Sequence, residues 1–226
     1  MTPSRVFVFD AYGTLFDVNS AVFRHADAVG PDAKLFAECW RAKQLEYTWV
    51  LSLAHRFEPF WALTTKALDF TFAKFPLVDR ALRASLLDAY RTLSAYPEVN
   101  EVLLSLGARE VPTAILSNGD TSMLHDAIRS AGIDGLFDAV ISVEAAGVFK
   151  TDPRVYALVT DAFAVAAGEI IFVSSNRWDV AGAAAFGLVP VWVNRTGAPD
   201  EYAELPPMHV VTDLRGLLTL NPEKSL

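Results

Sequence analysis

A single cysteine, Cys39, in 226 residues excludes an internal disulfide and any metal centre built on cysteine ligands. Histidine is also scarce: His25, His55, His125 and His209 stand singly, outside every motif, and none is assigned to catalysis. Basic residues are in deficit, 19 against 27 acidic ones for a net charge of −8, and no basic stretch offsets it. That balance argues against nucleic acid or an anionic membrane as partner. It leaves a small anionic substrate open, because one local Arg or Lys captures it. No apolar run reaches membrane-spanning length. Met1 to Arg5 is too short and polar for a signal peptide. Internal repeats and low-complexity tracts are also absent, and the expectation is a soluble, cytoplasmic protein.

What is plentiful is apolar surface. Hydrophobic residues make up 52% of the chain, enough for a sizeable core, and the length suits one α/β domain or a core carrying a smaller insertion. Val6-Phe7-Val8-Phe9 reads as a short strand buried on both faces, ending on Asp10, with Gly13 allowing a sharp turn. The pattern then turns helical. Asn19 or Ser20 is placed to cap a helix through Val29, stopped by Gly30-Pro31, and a long helix runs from Asp32 through Leu53. An aromatic-dense run spans Phe57 to Phe75, and a further helix spans Val78 to about Leu93. No convincing strand lies between Asp17 and Tyr96, so residues 17–96 read as a helical cap over the first strand's tip.

From Pro97 strands and helices alternate. Strands are expected at Pro112 to Ser117, Asp138 to Ile141, Ile170 to Val173, Val189 to Val193 and His209 to Val211. Helices are expected at Asn100 to Leu106, Ser122 to Ala131, Pro153 to Phe163 and Trp178 to Phe186. The fold class is therefore α/β: a doubly wound parallel sheet from residues 1–16 and 97–226, with an inserted helical cap.

Each core strand hands over polar groups at its carboxyl end: Asp10; Ser117 and Asn118; Ser174, Asn176 and Asp179. Lys150 stands just before the helix-opening Asp152-Pro153. An Asp after a strand commonly just begins a turn, and a lone Lys is commonly a solvated charge. Strand tips of one parallel sheet converge on one crevice, however, so these groups are expected to meet. In that crevice Asp10 attacks as a nucleophile, Thr14, Ser117 and Lys150 hold its carboxylate, and Asp179 and Asn176 place a water.

The combination resembles the L-2-haloacid dehalogenases of the haloacid dehalogenase superfamily over nearly the whole chain. The resemblance is carried by Asp10 to Asp17, Arg41 with Lys43 to Trp49, Leu116 to Gly119, Phe149-Lys150 with Asp152 to Tyr156, and Ser174 to Asp179. It implies the superfamily's α/β core and cap. It further implies hydrolysis of an L-2-haloalkanoate to the D-2-hydroxyalkanoate through an ester on Asp10, with halide released, no cofactor, no metal and a homodimer. Ser174 joins the catalytic set on the same ground. Ala11, Tyr12, Leu45, Phe60 and Trp178 resemble the apolar wall around substrate, and Asn118 a halide or carboxylate contact. Each apolar residue alone is commonly plain core.

Tyr12 separates this pattern from the phosphatase relatives, which carry a second Asp there as general acid and bind magnesium. Losing that acid costs a phosphatase about 10²–10⁴ in rate, whereas a halide leaves unprotonated. Arg41 either binds the substrate carboxylate or receives halide, or it pairs with Glu38 on the helix surface. Tyr156 braces Lys150 or Asp10. Ala42 and Thr151 depart from the family pattern, where a larger polar residue and a proline are common. Two other readings stay open: a related hydrolase that opens a small cyclic amino acid or cleaves a phosphate ester, and a binding module without activity.

Overall fold

The computed structural model describes residues 5–220; the N-terminal segment read as too polar for a signal peptide lies largely outside them. In chain order the elements are β1 (Val6–Phe9), β2 (Phe16–Asp17), α1 (Ser20–Phe23), α2 (Ala26–Val29), α3 (Ala33–Leu53), α4 (Phe60–Lys74) and α5 (Arg83–Arg91). They continue with β3 (Ser94–Ala95), α6 (Val99–Gly107), β4 (Thr113–Ser117), α7 (Thr121–Ala131) and β5 (Ala139–Ser142). The chain then forms α8 (Pro153–Phe163), β6 (Ile170–Ser174), α9 (Arg177–Phe186), β7 (Val189–Val193) and β8 (His209–Val211).

Six strands form one sheet in the order β5-β4-β1-β6-β7-β8, and every pairing is parallel. The central strands are apolar on both faces because helices cover both: β1, β4 and β6 are buried along their whole lengths. Moving outward from β1, the chain first adds β4 and β5 on one side, then β6, β7 and β8 on the other. Strand order therefore reverses between β1 and β6, where an open α/β sheet opens its ligand crevice. Phe9 is in register with Val173, so β1 and β6 end level, and Asp10 and Ser174 leave the sheet side by side.

Local chemistry explains the helix boundaries that matter for the site. Asp152 accepts a bond from the Arg154 N–H at 2.9 Å and Pro153 opens α8, which fixes the loop carrying Lys150. Gly13 turns the chain at φ +91°, a conformation that disfavours any side chain.

The expected elements form, with three corrections. Residues 16–17 and 94–95 pair as a two-stranded antiparallel sheet where no strand was expected. The first helix of the insertion is broken into α1 and α2, and Asn19 makes no side-chain cap bond. The helix expected from Val78 begins only at Arg83, after a 3₁₀ turn over Arg80–Leu82. The aromatic run divides by position: Phe60 and Phe72 are buried and Phe70 is exposed, while Phe57 stacks on Phe149 with centroids 5.1 Å apart. Among the described residues no helix is long and apolar enough to cross a membrane.

Candidate active site

Asp10 lies at the reversal point, 5% exposed, and its two oxygens have different surroundings. Oδ2 accepts three bonds, from Asn176 Nδ2 at 2.8 Å, Thr14 Oγ1 at 2.9 Å and Ser174 Oγ at 3.3 Å. Oδ1 accepts one, from Lys150 Nζ at 3.1 Å. A carboxylate has room for about four donors, so Oδ2 is nearly saturated while Oδ1 keeps a lone pair for another partner. Thr14 is itself fixed, since its hydroxyl oxygen accepts the Ser175 N–H at 2.8 Å.

Lys150 is 1% exposed and bridges two acids, with its Nζ also 2.7 Å from Asp179 Oδ2. Burial alone pushes its ammonium toward losing the proton, but the carboxylates of Asp10 and Asp179 outweigh that and hold its pKa above the usual lysine range. For Asp179 the balance tips the other way. Complete burial, helped by the charge of Asp10, pushes its pKa up to about 6 against the pull of Lys150 and Tyr156. Tyr156 donates its hydroxyl to Asp179 Oδ1 at 2.7 Å, and burial and that carboxylate raise the phenol well above its usual range. The chain Asp10–Lys150–Asp179–Tyr156 thus has alternating polarity, each member held by the next.

Two expectations are corrected. The Ser117 hydroxyl accepts the Gly119 N–H at 3.1 Å; Asp10 is held instead by Ser174 and Asn176 together with Thr14 and Lys150. Tyr156 braces Asp179, not Lys150 or Asp10. Asp179 bonds Lys150 and Tyr156, and Asn176 Nδ2 donates to Asp10 and the Tyr12 carbonyl.

Above the strand tips α3 brings in Arg41. It does not pair with Glu38, whose nearest cation is Lys34 at 4.0 Å. Its guanidinium donates to Gln44 Oε1 at 2.7 Å and to the Tyr12 carbonyl at 3.3 Å, the same carbonyl that accepts from Asn176. Tyr12 packs against Phe60 with ring centroids 5.8 Å apart, and both are buried. Among the described residues its buried hydroxyl has no hydrogen-bond partner, and burial raises its pKa well above the usual tyrosine range, keeping it neutral. The Tyr12 ring lies so close to Gly119 that a Cβ there would sit 2.6 Å from Cε2, so that position must be glycine. Ala11 is buried, with its carbonyl turning the chain by accepting the Leu15 and Phe16 N–H groups. Asn118 Oδ1 accepts the Lys150 N–H at 3.0 Å. Leu45 is half-buried on α3. Trp178 does not join Tyr12 and Phe60; it meets Trp49 edge-on at 5.7 Å, beside a cleft of about 740 Å³ that Lys150 and Phe149 also line.

Three residues that sequence reasoning missed complete the surroundings. Gln44, wholly buried, receives Arg41. Asp120 accepts the backbone N–H groups of Phe60 and Trp61 at 2.7 and 2.8 Å. Arg195 donates to the Thr14 carbonyl at 2.9 Å, lies 3.7 Å over the Tyr96 ring and pairs with Glu98 at 2.6 Å. Of these only Asp120, directly after Gly119 and before a helix, carries a local signal.

Among the described residues no three His, Cys, Asp or Glu side chains cluster as a metal site. Between Asp10 and Asp179 the counter-charge is the Lys150 ammonium.

Fold and site together define a parallel α/β hydrolase built around a strand-tip aspartate. Residues 5–187 match the haloacid dehalogenase-like hydrolase family. The (S)-2-haloacid dehalogenase 1 of Pseudomonas sp. (strain CBS-3) is 46% identical over 218 residues, 96% of each chain. A crystal structure of a dehalogenase superposes with a TM-score of 0.95 at 42% identity, covering 99% of this chain and 100% of that one. The structure of an L-2-haloacid dehalogenase from Xanthobacter autotrophicus with chloropropionic acid covalently bound superposes with a TM-score of 0.89 at 36% identity, covering 99% and 100%. The chain belongs to the haloacid dehalogenase-like hydrolase family.

Proposed function

We propose that this protein hydrolyses short L-2-haloalkanoic acids to D-2-hydroxyalkanoic acids through an ester on Asp10. The observation that carries the reading is the asymmetric Asp10 carboxylate, Oδ2 held by three donors and Oδ1 by Lys150 alone. A relative with chloropropionic acid covalently bound supports a covalent route.

In the first step Asp10 Oδ1 forms a bond to C2 as the carbon–halogen bond breaks on the opposite face. The halide leaves with the bonding pair, and C2 inverts. Arg41, Asn118 and Ser117 are the groups to receive the substrate carboxylate or the halide, with Tyr12, Ala11, Leu45 and Phe60 as the apolar surroundings. In the second step water adds to the ester carbonyl of Asp10 and the acyl C–O bond breaks. The hydroxyacid leaves with the original Asp10 oxygen, and one proton is released. Thr14, Ser174 and Asn176, on Oδ2, stabilise charge developing on that oxygen. Asp179, whose pKa of about 6 suits a base near neutral pH, takes the water's proton once the ester has neutralised Asp10. Lys150 supplies the positive charge between the acids, so the reaction proceeds without a metal or other cofactor.

We assign residues 1–16 and 97–226 to the core and 17–96 to a cap that closes over it. The cap's exposed Trp49, Val50, Leu53 and Leu77 support a homodimer formed through it. The placement is cytoplasmic.

Single-turnover hydrolysis of L-2-chloropropionate in oxygen-18 water tests the covalent step: the label is expected in Asp10, with unlabelled D-lactate as product. Label entering lactate in the first turnover sinks it. D-2-chloropropionate is expected to remain unturned.

A further inference from the structure

Arg41 makes no ion pair with any carboxylate among the described residues, although its guanidinium is half-buried. Its closest partner is the amide oxygen of Gln44, which is 0% exposed. A buried arginine ordinarily takes a carboxylate partner, and a glutamate fits wherever a glutamine does. A neutral partner instead leaves a full positive charge beside the Tyr12 carbonyl, two residues along the chain from Asp10.

The surroundings fix which end of the Gln44 amide faces Arg41. Gln44 Nε2 donates to Thr64 Oγ1 at 2.7 Å. The Thr64 hydroxyl proton is already given to the Phe60 carbonyl at 2.8 Å, so that oxygen can only accept from Gln44. On the other side the Tyr90 hydroxyl donates to Gln44 Oε1 at 3.0 Å, and burial keeps that phenol protonated by raising its pKa. Oε1 therefore accepts from Tyr90 and Arg41, and the amide cannot turn round without breaking three bonds.

We propose that Gln44 is a positioning residue that aims the Arg41 guanidinium at the anionic part of substrate and product while leaving its charge uncompensated. This rests on the reading of Arg41 as the anion-binding group. A carboxylate in the same place would hold the guanidinium equally well and cancel its charge, turning an anion site into a closed ion pair. Gln44 thus sets affinity for anions separately from geometry.

Two substitutions at Gln44 separate the effects, with L-2-chloropropionate as substrate and bromide and D-lactate as inhibitors. Gln44→Glu is expected to raise KM and both inhibition constants by roughly 30-fold or more, in line with losing one charge-assisted contact. Gln44→Met keeps the site neutral but unaims the fork, so kcat is expected to fall about tenfold with the bromide constant within threefold of wild type. Thr64→Val, remote from Arg41, frees the amide and is expected to lower kcat several-fold while leaving the bromide inhibition constant within threefold of wild type. It carries the test if Gln44→Glu fails to fold. Arg41→Lys provides the control. Full activity in Arg41→Lys overturns both the reading of Arg41 and this inference. An impaired Arg41→Lys beside unchanged inhibition constants in Gln44→Glu, or unchanged kcat in Thr64→Val, overturns the role of Gln44 alone.

Discussion

Asp120, which stands just before a core helix, caps a helix of the insertion: its Oδ1 accepts the Phe60 N–H at 2.7 Å across 60 residues of sequence. The companion oxygen takes the Trp61 N–H at 2.8 Å. The first turn of α4 has no donors or acceptors of its own for these groups, and Pro59 before it offers no capping side chain. Phe60 is thereby seated against Tyr12 from the core side.

Removing that carboxylate leaves two helix N–H groups unpaired. Asp120→Ala is expected to destabilise the protein by about 1–2 kcal/mol, a drop in Tm of about 5 °C for a chain of this size. Asp120→Asn, which keeps an acceptor, is expected to recover much of it. Scanning calorimetry of the two variants checks this, and equal Tm values for both and wild type would refute the capping role.

The raised pKa of Asp179 sets an acid limit on activity. Above about 6 its carboxylate is charged and holds Lys150 beside Asp10; below, protonation releases that hold. The rate, followed as kcat/KM for L-2-chloropropionate, is expected to fall as pH drops through about 6, with an apparent pKa belonging to the coupled acids. The Tyr156 hydroxyl stabilises the charged form, so Tyr156→Phe is expected to move the limb upward by roughly one pH unit. A limb that stays put or moves downward contradicts the assignment.

Lys150→Met removes the ammonium between two buried carboxylates. The expected cost near neutral pH is about 3–5 kcal/mol, read from urea unfolding. Burial already raises the Asp179 pKa against the pull of Lys150, and without the cation it stays above its unfolded value, so between those values the folded state binds more protons. The variant is therefore expected to regain stability as pH falls from about 7 to about 5. A deficit that does not shrink with acid argues against the bridge.

Arg195 joins Glu98 and the Thr14 carbonyl behind the nucleophile. Arg195→Met leaves Glu98, 3% exposed, with a buried unpaired charge. Pairing it with Glu98→Gln is expected to restore most of the stability while kcat stays low, because Thr14 has still lost its anchor. In a Thr14→Ala background the Arg195 substitution is expected to cost little more activity, the non-additivity expected of linked groups. Simple additivity would show that Arg195 serves stability alone.

The part of the site legible in the sequence is the part that strand topology dictates. Asp10, Ser174 and Asn176 lie at the ends of neighbouring buried strands, and parallel pairing in register leaves them no other place to be. Lys150 was legible as a polar group before a capped helix, though its two carboxylate partners depend on the packing of α8 against α9. Ser117 shows the limit: the strand delivers the residue to the crevice, but the turn at Gly119 decides what its hydroxyl bonds. Asp120 and Arg195 act through partners elsewhere in the chain, 181 residues away for Arg195 and Thr14, and no local pattern records such pairings; Gln44 meets Arg41 within α3, but the Thr64 and Tyr90 groups that orient it come from other helices. The β2–β3 pair was invisible for a related reason, since two residues per strand carry no periodicity.

That small pair has a consequence for how such a molecule diversifies. Phe16 faces Ala95 and Asp17 faces Ser94, so the chain departs from the sheet and returns to it through one opening roughly 5 Å wide. A segment whose two ends meet so closely is an exchangeable cassette: a larger set of helices, or a bare turn, spans the same gap without displacing β1 or β4. Inheritance can then act on the two parts separately, keeping the carboxylate and its lysine in the sheet while replacing what sits above them. The reacting groups stay put; only the lid over them need change.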